Sequence, residues 1–130
     1  MKRSGTNTGT STLTREQAAT SKSGLKESPD FSKIRTFKEF YPLYLGEHSN
    51  RTNRRLHFIG STFVLLCLLM LIFTGNMIYL LYAPLFGYGF AWVGHFFFEK
   101  NKPATFKRPL WSLMGDWTMY AEIATGSIPF

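Results

Sequence analysis

Between Leu56 and Phe98 the chain contains no Lys, Arg, Asp or Glu. A charge-free run of that length fits no ordinary core element of a water-soluble domain, and it reads as membrane-spanning. Basic residues flank it on both sides. Of 15 Lys and Arg, eleven lie at or before Arg55 and four at or after Lys100. The net charge of +7 therefore reads as topology, with the Lys/Arg-rich side in the cytoplasm and drawn to anionic lipid headgroups. Nucleic acid is not expected as a partner, because the aromatic residues that would stack on bases sit inside the apolar run.

The run divides at Thr74, Gly75 and Asn76 into a first span over residues 56–73 and a second over 77–98. The first gives ~27 Å of helix, slightly short of a ~30 Å hydrocarbon layer, and Arg54 and Arg55 relieve the mismatch by snorkelling. Pro84 removes a backbone hydrogen bond and predicts a kink in the second span. Spans joined by so short a turn are antiparallel neighbours, with both termini in the cytoplasm. The expected fold is an all-α membrane protein: a two-helix transmembrane hairpin flanked by interfacial amphipathic helices, with a disordered N-terminal tail.

Residues 1–30, rich in Ser, Thr, Gly and Lys, bury too little surface to offset their ordering entropy. The membrane domain covers residues 36–122. Thr36 and Glu39 have capping-box spacing and open an interfacial helix over 36–48, with Phe37, Phe40, Tyr41, Tyr44 and Leu45 on one face. Pro42 predicts a kink or a break there. Ser49, Asn50, Thr52 and Asn53 supply turn and cap chemistry before the next helix. A second interfacial helix over 109–122 presents Leu110, Leu113, Met114, Trp117 and Tyr120. A single cysteine, Cys67, excludes an internal disulfide and a CxxC metal site.

The hairpin places two histidines together. His57 lies eighteen residues before Gly75 and His95 nineteen after Asn76, so both imidazoles reach the same depth at the cytoplasmic rim. Gly60 and Ser61 follow His57 by one turn, while Gly87, Ala91, His95 and Glu99 repeat at i, i+4. Small residues on facing helices let two backbones approach closely in lipid. His48, preceded by Glu47, is near enough in sequence to fold over the pair. These are all 3 histidines of the chain. Imidazole with carboxylate and open positions is the ligand set of non-haem iron oxygenases, and the lack of thiolates excludes an iron–sulfur cluster. Other readings stay open. Each histidine can be an interfacial polar anchor, Glu47 and Glu99 can pair with neighbouring cations, and opposed histidines can ligate a haem in a dimer.

The stretch FYPLYLGEHSNRTNRRLHFIG, followed by GYGFAWVGHFFFEKNKPATFKRPLWSLMGD, resembles the small membrane-protein family that includes the yeast 2-hydroxy-fatty-acid dioxygenase. The resemblance covers roughly residues 36–117. It implies ferrous-iron-dependent removal of one carbon from 2-hydroxy fatty acids, as in fatty acid α-oxidation and sphingoid-base breakdown. It also implies that His48, His57 and His95 are iron ligands or their immediate partners, with Glu99 and Asn50 in support. Fungal members carry a His–His pair where this chain has Glu47–His48, which leaves Glu47 as a candidate carboxylate ligand, and they have additional spans. On this reading the 2-hydroxycarboxylate head meets iron at the rim while the acyl chain stays in the bilayer. Arg54 and Arg55 are then candidates for neutralising the substrate carboxylate. The expected location is the endoplasmic reticulum in a eukaryote or the inner membrane in a bacterium. The contrasting reading is a non-catalytic hairpin that shapes membranes or recruits a partner. Two helices make a thin wall around an iron, which leaves a homodimer open.

Overall fold

The computed structural model describes residues 29–130; the tail expected over 1–30 lies, but for its last two residues, outside them. Helix α1, Phe37–Gly46, starts where the Thr36 hydroxyl accepts the Glu39 N–H at 3.3 Å. The Glu39 carboxylate accepts the Arg35 N–H at 3.3 Å, so the reciprocal bond of the capping box is displaced by one residue. Pro42 lies inside α1 without dividing it.

Helix α2, Arg51–Thr74, opens on Asn50, whose side chain accepts the N–H groups of Thr52 and Asn53. It closes on Gly75 at φ +66°, the left-handed conformation that glycine adopts without a Cβ clash. The Asn76 carboxamide then accepts the Ile78 N–H at 3.0 Å and starts α3, Ile78–Val93, which runs through Pro84. The end of the expected second span departs from α-helix: Gly94–Glu99 form a π-helix, stopped by Lys100 at φ 58°. A 3-10 turn, Ala104–Phe106, leads into α4, Pro109–Ala124, with Pro109 at the first helical position where its missing N–H is harmless. Among the described residues there is no strand.

Helices α2 and α3 pack as antiparallel neighbours, with Gly60 against Phe86 and Phe90 and Val64 against Gly87. A Cβ at Gly60 would stand 2.8 Å from Phe90 Cβ, so this crossing requires glycine. Among the described residues only α2 is long and apolar enough to cross a membrane, with a mean hydropathy of 2.4 in its best window. Only 17% of that window is buried, unlike the core helix of a globular domain. The sixteen residues of α3 give ~24 Å, less than a full crossing. Both helices turn large apolar side chains outward, Ile72 and Phe73 being 77% exposed.

The flanking helices make a small core at the histidine end. Phe40 and Tyr44 of α1 are buried with Phe31, Ile34, Ala104 and, from α4, Met119 and Ile123. Much of the aromatic face of α1 is therefore covered by protein. On α4, by contrast, Leu110, Leu113 and Met114 remain exposed. Arg108 fastens the segment that leads into α1 by donating to the Phe31 and Ile34 carbonyls at 2.8 and 3.1 Å.

Candidate metal centre

Three helical elements deliver one histidine each. His48 follows α1 directly, His57 sits in the second turn of α2, and His95 is the second residue of the π-helix. All three are buried, at 1%, 6% and 2% exposure. Their rings meet edge to face, with centroids 4.6 Å (His48–His57), 4.5 Å (His48–His95) and 5.0 Å (His57–His95) apart. One ring nitrogen from each lies within 4.8 Å of the others.

Each Nδ1 lies beside an oxygen. His48 Nδ1 is 2.7 Å from the Tyr44 carbonyl, His57 Nδ1 is 3.3 Å from Asp116 Oδ1, and His95 Nδ1 is 2.7 Å from Asn101 Oδ1. The Asn101 amide is oriented by its own Nδ2, which donates to the Glu47 carbonyl at 2.9 Å, so its oxygen faces the imidazole. A donor at Nδ1 fixes the neutral tautomer with its lone pair on Nε2. The Nε2 atoms of His48 and His57 are buried and have no hydrogen-bond partner. Burial, reinforced by the two neighbouring imidazoles, holds His48 well below the usual histidine range despite the Tyr44 carbonyl. A buried, neutral, unpartnered imidazole nitrogen is costly unless a cation takes its lone pair. At a metal–nitrogen distance of ~2.1 Å the three ligand atoms would stand roughly 3–4 Å apart, within reach of this grouping.

Asp116 is the hinge of the outer layer, for it also accepts the Tyr44 hydroxyl. Burial and the Asp116 charge push that hydroxyl well above the ordinary tyrosine range, so Tyr44 keeps the proton it donates. The Tyr44 ring in turn stacks on His48, with centroids 4.1 Å apart. Asp116 and Asn101, which lie beside His57 and His95, are thus not among the residues that the sequence singles out, whereas Tyr44 is, though only for its place on an aromatic face. Asp116 and Asn101 both fall within the quoted GYGFAWVGHFFFEKNKPATFKRPLWSLMGD stretch, and Asp116 is one of two acids on an otherwise apolar helix, the other being Glu122; that is the available signal.

The carboxylates sit elsewhere. Glu99 accepts Ser49 Oγ at 2.6 Å, the Asn50 N–H at 2.7 Å and Asn53 Nδ2 at 3.3 Å, bracing the start of α2 where the helix dipole favours an anion. Glu47 is buried with neither carboxylate oxygen hydrogen-bonded, outside the three-histidine group. Burial pushes its carboxyl up to about 7; Lys107 pulls it down and Glu99 adds to the rise. Arg54 donates to the His48 and Ser49 carbonyls at 3.0 and 2.8 Å, and Arg55 lies over the Phe130 ring. Neither lines the cavity of about 200 Å³ beside the histidines, whose wall holds no Lys or Arg.

Residues 34–128 match the family model described as Mpo1-like, 2-hydroxy-palmitic acid dioxygenase Mpo1-like. No curated protein and no solved structure matches the chain.

Proposed function

The chain belongs to the Mpo1-like family, and from that premise we propose that it is a ferrous-iron-dependent dioxygenase removing one carbon from 2-hydroxy fatty acids at the rim of a membrane. The observation that carries the reading is the set of three buried imidazoles, each with an oxygen beside Nδ1, two with an unpartnered Nε2. A membrane scaffold has no use for such a set, which leaves buried nitrogens without partners unless an ion binds. Ring centroids 4.5–5.0 Å apart also leave no space for a porphyrin between opposed imidazoles.

His48, His57 and His95 would hold the iron. When bound, ferrous iron supplies the one-electron chemistry through which dioxygen reacts with an organic acid. The chain's own residues do the rest. Tyr44, Asp116 and Asn101 orient the imidazoles, and the largely apolar cavity wall suits an apolar chain. The overall reaction needs no external reductant. A 2-hydroxy acid and one dioxygen become the acid one carbon shorter, carbon dioxide and water, and the substrate supplies all four electrons. The hairpin formed by α2 and α3 lies in the bilayer, both chain ends face the cytoplasm, and the exposed apolar face of α4 rests at the interface.

Detergent-purified protein reconstituted anaerobically with ferrous iron should consume dioxygen when 2-hydroxypalmitate is added and release a product one carbon shorter. His95→Ala should do neither. No uptake by well-folded wild type across several 2-hydroxy acids would sink the proposal and favour a non-catalytic hairpin.

A further inference from the structure

The cavity beside the histidines has a largely apolar wall and gathers the imidazoles at one end. There it meets the three imidazoles, Asp116 and Ser112, whose hydroxyl is buried without a hydrogen-bond partner. Away from that end the wall is α2 and α3, with Val64 on one side and Ala83, Gly87 and Ala91 on the other. These three small residues recur at i, i+4 and form a furrow along α3. Gly87 lies eight residues from His95, ~12 Å along the helix, and Ala83 lies ~18 Å away. Gly87 faces Val64 closely: a Cβ there would stand 3.1 Å from Val64 Cγ2. An apolar cavity of ~150 Å³ already takes up benzene, so the roughly 200 Å³ here accommodates a longer apolar segment. A slot with one polar end and a narrow apolar floor fits a single-chain amphiphile with its head among the histidines.

Resting on the dioxygenase reading, we propose that Gly87, with Ala83 beyond it, sets the length of acyl chain the site accepts. The furrow from Ala91 to Ala83 receives the chain, and the missing side chain at Gly87 leaves it room beside Val64, two turns below the imidazoles. A bulky residue at 87 closes the furrow there. Chains short enough to end above Gly87 still bind, and longer ones do not.

The test uses the full chain in lipid nanodiscs. Gly87→Leu alone risks a clash with Val64, so it is paired with Val64→Ala, which removes the methyl group a Cβ at 87 would meet. Two readouts are taken. With ferrous iron, the ratio of kcat/KM for 2-hydroxypalmitate over 2-hydroxyoctanoate should fall by about tenfold or more in the double variant, the scale on which a filled apolar pocket discriminates. Without metal, chain entry is followed through Trp92 and Trp117, both on the cavity wall, in a Trp111→Phe background with fatty acids brominated along the chain. Wild type should be quenched by long and short acids, the double variant by short acids only. An unchanged ratio together with unchanged quenching overturns the proposal, as does absence of quenching in wild type. Quenching without dioxygen uptake in wild type would defeat the dioxygenase reading and leave chain length to be judged on binding alone.

Discussion

Asp116 joins segments that are far apart in the sequence: its carboxylate accepts the Tyr44 hydroxyl from α1 and lies 3.3 Å from His57 Nδ1 of α2. Outer partners of this kind raise the basicity of a ligating imidazole and typically contribute 10–100-fold in metal affinity. Asp116→Asn keeps one acceptor and loses the charge, so divalent-metal affinity, measured calorimetrically with zinc or anaerobic iron, should weaken by roughly tenfold while helicity is retained. Unchanged affinity would reduce Asp116 to an anchor for Tyr44. Glu47 poses a different question. Its carboxyl rises from an ordinary 4.5 to about 7, chiefly through burial. A folded-state value above the unfolded one makes a contribution to stability that is fully present below about pH 4.5 and is lost as pH rises through about 7. In metal-free protein, Glu47→Gln should therefore melt with wild type near pH 4 and above it near pH 8. The reverse order at pH 8 would mean that Lys107 outweighs burial.

Helix starts and stops were legible because their chemistry is local. Thr36, Asn50 and Gly75 each cap a helix within a few residues of themselves. The pairing of His57 with His95 was legible too, since it needs only a count outward from a tight turn. What was not legible depends on packing between segments. The expected second span changes from α to π at Gly94, where a Cβ would stand 2.1 Å from Asn53 Oδ1 on α2. That fully buried asparagine donates to Glu99. Spacing rules assumed i, i+4 register for His95 and Glu99, whereas π-helical bonding follows i, i+5, and Glu99 braces the 49–53 turn instead. The position of Asn101 follows from the same irregularity, and that of Asp116 from the packing of α4 on α1. Gly94→Ala should therefore act on two levels. Overpacking against Asn53 should cost about 1–3 kcal/mol in denaturant unfolding, and metal affinity should fall because His95 is the next residue. A variant as stable as wild type would show that Asn53 moves aside at little cost.

For the whole molecule, the two arms of the hairpin differ in length. Helix α2 has 24 residues, ~36 Å of length, ample for a ~30 Å hydrocarbon layer. Helix α3 has 16, ~24 Å, and reaches the rim only when Gly94–Glu99 is added. The π-helix thus has two roles: it lengthens the returning arm and it brings His95 against His57. Basic residues cluster up to Arg55 and from Lys100 onward, and on the Lys/Arg rule we propose that both helices cross and that this end faces the cytoplasm. The arrangement is testable by labelling. Cys67 is buried and can be replaced by serine, after which Asn76→Cys reports the turn and Lys102→Cys the rim, both positions being exposed. In sealed vesicles with the cytoplasmic face outward, an impermeant maleimide should modify Lys102→Cys directly and Asn76→Cys only after detergent is added. Direct labelling of both would mean that α2 and α3 dip into one leaflet and return. The ~36 Å of α2 would then have to lie strongly tilted, and the furrow on α3 would run along the leaflet instead of across it.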